Sequence, residues 1–172
     1  WGVFDIISMV VSIIVSYILF YGLINPAPVD YVIYTGLAFL FYLSGTWSSA
    51  RAGSLVARIG HGKTLCASAA LFTLGIALCA GNLPMTLLGM IAFTVGFFAV
   101  HSTASGWVGQ IATHDRAEAS SMYVFCYYFG SSVVGACAGL LFDALSWPLF
   151  IAFFTAVALA LTALTWTKIK SD

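Results

Sequence analysis

Six long runs of apolar residues fill almost the whole of this sequence and limit the folds open to it. A membrane-spanning helix needs about 20 mostly apolar residues, and such runs can be drawn at 6–23, 31–50, 64–80, 85–108, 119–142 and 148–167. Only 7 % of the 172 residues are charged, whereas soluble domains carry about 25 %. The sequence therefore predicts an all-α membrane protein whose six transmembrane helices lie in a lipid bilayer.

The positive charges predict how the chain crosses the membrane. All Lys and Arg fall in the second loop, the fourth loop or the C-terminal tail, at positions 51, 58, 63, 116, 168 and 170. Because Lys and Arg accumulate in cytoplasmic loops, we expect a multi-pass protein of the inner or plasma membrane with both termini in the cytoplasm. The net charge is zero, and no basic patch extends beyond these short loops, which argues against nucleic acid as a partner.

Polar side chains distinguish four of the runs from the other two. The first run carries hydroxyls at four-residue spacing, among them Ser12 and Ser16, and the second, fourth and fifth carry tyrosines, hydroxyls and His101. We expect these four helices in the interior and the third and sixth at the periphery, where they could face lipid all round. The two less polar runs, the third and the sixth, are three runs apart, which indicates a 3+3 inverted repeat of the kind found in transporters.

The segment 53–63, between the second and third runs, holds the densest positive charge of the sequence. Its positions Gly53, Arg58, Gly60 and Lys63 predict a tight cytoplasmic loop. Gly53 would allow one helix end to approach its neighbour closely, and Gly60 would allow a sharp turn.

This loop resembles the loop Gly-x-x-x-Asp-Arg-x-Gly-Arg-Lys/Arg of the major facilitator superfamily. Gly53, Arg58, Gly60 and Lys63 match it, whereas Ala57 stands in place of the family's Asp. In that family each six-helix half carries one copy of the loop, and the second copy is commonly the weaker. A degenerate copy therefore indicates the C-terminal half.

Other segments are similar to bacterial drug/proton antiporters of that superfamily, namely residues 45–49, 96–102 and 127–130. The resemblance implies that residues 1–172 form a single six-helix bundle, the C-terminal half of a twelve-helix transporter whose N-terminal half is absent. It also implies export of a small-molecule substrate by alternating access, with the missing half or a second copy of this chain as the partner. Coupling to protons would be possible.

The resemblance implies that the first, second, fourth and fifth helices line a substrate cavity. The candidate side chains are Ser12, Ser16, Tyr42, Thr94, His101, Tyr127, Tyr128 and Ser131. Each has an alternative role in an interhelical hydrogen bond, worth about 0.6 kcal/mol on average. Tyr127 and Tyr128 fit an apolar cavity best, since they combine an aromatic ring with a polar tip. His101 lies about 24 Å along its predicted helix, where an interface or gate near the cytoplasmic end is the alternative.

Small residues and cysteines are given structural roles. Gly135 and Gly139 predict a face for close helix contact. The four cysteines all fall inside apolar runs without a metal-binding spacing and are predicted to be buried thiols, at positions 66, 79, 126 and 137. No cofactor and no metal are predicted.

The acidic residues bear on proton coupling. Intramembrane charge is the usual mark of an ion pathway, yet Asp5, Asp30, Glu118 and Asp143 all lie at the ends of predicted helices. If transport is coupled to protons, we expect the titrating acid to lie in the missing half.

Alternative functions remain for comparison. A passive six-helix channel or a membrane scaffold would use the same helices without a rocking partner. A water channel would need a second copy of the triplet 25–27, Asn-Pro-Ala, which occurs once. An intramembrane serine hydrolase would need a base and an oxyanion site beside its serine, and nothing else converges on His101 and Ser105. We therefore predict that the chain is not an enzyme.

Overall fold

The computed structural model describes the backbone of residues 29–171 and the side chains of residues 41–167. This part of the chain contains five α-helices: α1 (Val29–Ile59), α2 (His61–Leu78), α3 (Leu83–Ile111), α4 (Arg116–Ala144) and α5 (Trp147–Ser171). Four of them, α2 to α5, are long and apolar enough to cross a membrane. An all-helical membrane fold is therefore confirmed. The predicted first run, 6–23, lies outside the described residues, so six helices and the 3+3 repeat stay predictions.

The contacts that follow all lie within one compact unit, residues 41–172. Residues 29–40, at the start of α1, belong to the other unit.

The predicted loop at 53–63 is wrong in its extent. Helix α1 continues to Ile59 and α2 begins at His61, so Gly60 alone separates them. Residues 51–59 contain good helix formers and no proline, which lets the helix run on. Gly60 has φ 84° and ψ 163°, a backbone conformation almost confined to glycine. The prediction that Gly60 forms the sharp turn is confirmed.

Local sequence explains the remaining turns. Helix α3 begins after Asn82, whose side-chain oxygen accepts a hydrogen bond from the Met85 amide at 3.2 Å, with Pro84 in the first turn. Proline suits that position because its missing N–H would have no helical partner there. The indole Nε1 of Trp147, at the start of α5, donates to the Cys79 carbonyl at the end of α2 (2.9 Å). Both turns therefore lie at the same end of the helices.

Helix α2 packs against both α3 and α5, and three glycines bring it close to α3. A Cβ added at Gly75 would collide with the Phe93 backbone, and one at Gly96 would lie 2.5 Å from the Phe72 nitrogen. At Gly89 it would lie 2.7 Å from the Gly75 carbonyl oxygen. On the side facing α5, the Thr73 and Thr162 hydroxyls are 3.2 Å apart.

The expectation that the third span faces lipid all round is wrong, because α2 lies between two neighbours. Five of its residues are buried, namely Thr64, Cys66, Ser68, Thr73 and Gly75. Small side chains at these positions make the close approach possible. Helix α4, predicted to be interior, has no buried residue. It contacts mainly α3 and, to a lesser degree, α5.

Candidate functional site

Helices α3 and α4 bring a histidine and three other aromatic rings together, and we call Phe97, His101, Tyr123 and Tyr127 the aromatic cluster. The Tyr123 hydroxyl lies 3.0 Å from His101 Nδ1. The ring centroids of His101 and Tyr127 are 4.6 Å apart, and Phe97 stacks on His101 at 6.1 Å. Among the described residues, Tyr123 and His101 of this cluster form the hydrogen bonds seen between α3 and α4.

His101 lies closer to the middle of its helix than the sequence predicted. Helix α3 runs from Leu83 to Ile111, so its midpoint is near residue 97 and His101 lies about 6 Å from it. The helix continues three residues beyond the predicted run, and the position of His101 relative to the membrane stays a prediction. An ionisable side chain near the middle of an apolar helix is costly unless it is paired, and Tyr123 provides the partner.

Three of the predicted cavity residues, His101, Tyr127 and Tyr128, come together at this site, and a fourth lies further along α4. Tyr127 belongs to the aromatic cluster, and the Tyr128 ring meets it edge-on at 5.1 Å. Tyr128 is 65 % exposed and Ser131 is also exposed. This face of α4 is therefore open within the described residues.

The other predicted candidates lie apart from this site. Tyr42 is 60 % exposed and meets the Phe98 ring edge-on at 6.2 Å. The Thr94 hydroxyl donates to the Met90 carbonyl of its own helix at 2.7 Å, so it contributes to local structure. Ser12 and Ser16 lie outside the described residues.

Sequence reasoning missed Tyr123 and Phe97. Tyr123 is four residues before Tyr127, so both point to one face of α4. Phe97 is four residues before His101 on α3. The sequence does show these two pairs, each with a spacing of four residues on one helix. It does not show that the two helix faces meet, and the site forms only where they do.

Serines join α1 to α3 beside the aromatic cluster. The Ser48 hydroxyl donates to the Val95 carbonyl at 2.7 Å, and the hydroxyls of Ser49 and Ser102 share a hydrogen bond of 2.5 Å. His101 and Ser102 are adjacent, so α3 contacts α4 through one and α1 through the other. Ser105 donates to the Ser102 carbonyl at 3.2 Å, and the His101 ring is paired with Tyr123, so the two do not form a nucleophile and base.

The basic segment around Gly60 is helical on both sides. Gly53 lies within α1 and is exposed, and no atom of the described residues lies within 4 Å of an added Cβ. Its predicted role in a close helix approach stays a prediction. Arg58 lies in the last turn of α1 and Lys63 in the first turn of α2, both exposed.

The glycine pair at the other end of the bundle makes no close contact. No atom of the described residues lies within 4 Å of a Cβ added at Gly135 or Gly139. Their predicted contact is therefore not formed within the described part of the chain. Close glycine contacts lie instead between α2 and α3, and between Gly45 of α1 and Phe98 of α3.

The cysteines differ from one another. Cys66 is buried and Cys79 half-buried, whereas Cys126 and Cys137 are exposed on α4. The prediction of four buried thiols is therefore wrong for the last two, because α4 has no buried face. Among residues 41–167, no three His, Cys, Asp or Glu side chains are grouped as metal ligands would be.

Comparisons with known proteins point to membrane transport. The chain is 34 % identical over 160 residues to the inner membrane transport protein YnfM of Escherichia coli (strain K12). This alignment covers 90 % of the present chain and 37 % of YnfM. It is 41 % identical over 110 residues to the uncharacterized MFS-type transporter YybF of Bacillus subtilis (strain 168), covering 63 % and 27 %. An uncharacterized transporter of Buchnera aphidicola subsp. Schizaphis graminum is 35 % identical over 136 residues, covering 78 % and 33 %. No protein-family model and no solved structure matches the chain.

These relatives support a broad assignment. The matches span between 27 % and 37 % of the relatives' lengths, which is about a third of each protein. One of the names specifies a major facilitator superfamily (MFS-type) transporter and the others a transporter, which supports membrane transport, a function that is generally not enzymatic. With four apolar helices, they support a multi-pass protein of the inner membrane.

Proposed function

We propose that this chain is the C-terminal six-helix half of a major facilitator superfamily exporter that moves a small molecule by alternating access. The similarity to proteins named as transporters supports the transport function. The main support for a substrate site is the aromatic cluster, in which His101, near the middle of α3, is paired with Tyr123. An N-terminal half, or a second copy of this chain, would supply the other wall of the cavity.

The open face of α4 suits a cavity between two halves. Tyr127 adjoins the His101–Tyr123 pair, and Tyr128 and Ser131 point to space that the described residues leave open. Aromatic rings bind aromatic or cationic molecules with little need for exact shape. We therefore propose an aromatic small molecule as the substrate, with Tyr127 and Tyr128 in contact with it and His101 held beside it by Tyr123.

Proton coupling, where it exists, would use an acid of the other half. Glu118 lies in the first turn of α4 and Asp143 is the residue before its end, and both are exposed. The ionisable residues that mark ion pathways lie within membrane spans, and a carboxylate at a helix end lies outside that region. Glu118→Gln and Asp143→Asn should each leave proton-driven ethidium export within about twofold, whereas loss of export in either variant would contradict the proposal.

Counterflow tests the carrier mechanism. Proteoliposomes that hold the full-length protein are loaded with unlabelled ethidium or chloramphenicol and diluted into labelled compound. A carrier should accumulate the label transiently, because internal substrate accelerates the return of the binding site. A passive channel would equilibrate the label without an overshoot, and a scaffold would transport nothing.

A matched pair of variants tests the site within this assay. Tyr127→Leu should raise the KM for ethidium about fivefold or more, because it removes a ring contact worth about 1 kcal/mol. Phe129→Leu makes the same kind of change at a neighbouring exposed position (62 % exposed) outside the cluster and should leave KM unchanged. Equal effects would contradict a binding role for Tyr127.

A further inference from the structure

An open cleft lies away from the aromatic cluster, between α1 and α2, with α3 as its floor. We call it the arginine cleft. It has a volume of about 320 Å³ and is lined by Trp47, Arg51 and Arg58 of α1, Ser68 and Leu71 of α2, and Ala99 of α3, among others. The cleft lies towards the end of the bundle where Gly60 joins α1 to α2.

The α1 side of the cleft is positively charged without a balancing carboxylate. Arg51 and Arg58 lie seven residues apart on one helix face, about 10 Å along the axis. The Arg51 guanidinium lies 5.3 Å from the centroid of the Trp47 ring, a cation–π contact that holds it beside the cleft. No acidic side chain lines the cleft, and among residues 41–167 neither arginine forms an ion pair.

The opposite side and the floor are apolar, with one free hydroxyl. Leu71 and Ala99 line the depth of the cleft, and Ala99 is only 7 % exposed. Ser68 is 5 % exposed, and its hydroxyl has no hydrogen-bond partner among the described side chains and backbone. Ser68 lines the cleft, so its hydroxyl can donate a hydrogen bond to a ligand atom there.

We propose that the arginine cleft binds an anionic phospholipid. The lipid phosphate lies between Arg51 and Arg58, whose planar guanidinium groups match phosphate oxygens. One acyl chain lies along Leu71 and Ala99, and an ester or headgroup oxygen accepts a hydrogen bond from Ser68. Basic sites between membrane helices on the cytoplasmic side bind anionic headgroups, and the proposed orientation puts this end of the bundle in the cytoplasmic leaflet.

The chemistry of the cleft distinguishes a lipid from other anions. A soluble anion such as phosphate would use the two arginines but leave the apolar floor exposed to water. A neutral lipid would cover the floor but leave the two guanidinium groups without a counter-charge. Only an anionic lipid satisfies both halves of the cleft. This site is independent of the transported substrate, because it shares no residue with the aromatic cluster.

Native mass spectrometry of the purified full-length protein tests the proposal, with phosphatidylglycerol titrated against phosphatidylcholine. The wild type should retain phosphatidylglycerol in preference to phosphatidylcholine. Arg51→Gln/Arg58→Gln should weaken retention about 25-fold, since each arginine near an anionic lipid contributes about fivefold. Both side chains are exposed, so these substitutions should leave the fold intact, as circular dichroism would verify.

The matched control removes two charges outside the cleft. Lys63→Gln/Arg116→Gln should change phosphatidylglycerol retention by less than about twofold. An equal loss in both double variants would overturn the proposal, because it would indicate general surface charge. Equal retention of the two lipids by the wild type would overturn it too. So would displacement of the lipid by millimolar inorganic phosphate, which would indicate a site for free anions.

Discussion

Among the described residues, His101 receives its side-chain hydrogen bond from Tyr123 alone. The Tyr123 hydroxyl reaches Nδ1 at 3.0 Å and also lies 3.4 Å from the His101 carbonyl oxygen. One residue of α4 thus fixes the ring of α3, and it does so through an atom that a conservative substitution can remove.

Tyr123→Phe removes this hydroxyl and leaves the ring. The free energy of unfolding should fall by about 0.6 kcal/mol, the average for an interhelical hydrogen bond in a membrane. Ethidium counterflow should fall further than this small loss explains, because the His101 ring is no longer held. Thermal unfolding and counterflow of the same preparation provide the two measurements.

Tyr128→Phe is the control for this change. Tyr128 lies on the same helix and is exposed, and its hydroxyl forms no hydrogen bond with the described residues. Its unfolding temperature should equal that of the wild type. If Tyr123→Phe unfolds like Tyr128→Phe and transports like the wild type, the hydrogen bond to His101 has no role.

At the scale of single residues, the sequence predicted part of the candidate site. His101 and Tyr127 were both predicted as cavity residues, and the fold brings them to 4.6 Å. Thr94 was predicted on its position alone, but a threonine hydroxyl in a helix readily bonds to its own backbone. Tyr123 was missed because its importance depends on which residue of α3 it faces, and no local pattern contains that information.

At the scale of helices, glycines set the closest packing in the described part of the chain. The sequence predicted Gly135 and Gly139 from their spacing of four, yet the close contacts involve Gly75, Gly89 and Gly96. A spacing of four indicates a face that permits close contact. It does not indicate a partner. The contact between α2 and α3 uses glycines of two different helices, so no spacing within one helix reveals it.

Gly96→Ala and Gly135→Ala should therefore have opposite effects. At Gly96 the new methyl group would lie 2.5 Å from the Phe72 backbone, so α2 and α3 must separate, at a cost of about 1–3 kcal/mol. At Gly135 no atom of the described residues lies within 4 Å of the new methyl group, and alanine favours the helix by up to about 1 kcal/mol. Thermal unfolding in one detergent compares the two, and destabilisation of both by the same amount would indicate an unseen contact at Gly135.

The break between helices α1 and α2 depends on a single glycine, Gly60. Gly60→Ala places a side chain at φ 84° and should cost about 1–3 kcal/mol. Gly53→Ala, in the interior of α1 with open space around it, should stabilise the protein by up to about 1 kcal/mol. Denaturation by urea in a mild detergent measures both changes. A Gly60→Ala variant as stable as Gly53→Ala would show that α1 and α2 can form a continuous helix.

At the scale of the whole molecule, the helices alternate in direction and separate the charges. In the described part of the chain, the turns that follow α2 and α4 carry no Lys or Arg, whereas Arg58, Lys63 and Arg116 lie at the other end of the bundle. The sequence predicted this separation well, because loop charge is a local property that survives errors in helix length. Helix boundaries were less predictable, since α1 and α3 continue beyond their apolar runs.

The separation of charge predicts which end faces the cytoplasm, and cysteine labelling tests it. In a variant without the four native cysteines, a single cysteine is introduced either by Ala57→Cys beside Arg58 or by Ser146→Cys in the turn after α4. Both positions are exposed. A membrane-impermeant maleimide should label Ala57→Cys only in inside-out vesicles and Ser146→Cys only in right-side-out vesicles, because basic loops stay in the cytoplasm.

The reverse pattern would put Arg51 and Arg58 in the outer leaflet and remove the basis for the proposed orientation. Labelling of both positions from one side would mean that the helices between them do not cross the membrane an odd number of times.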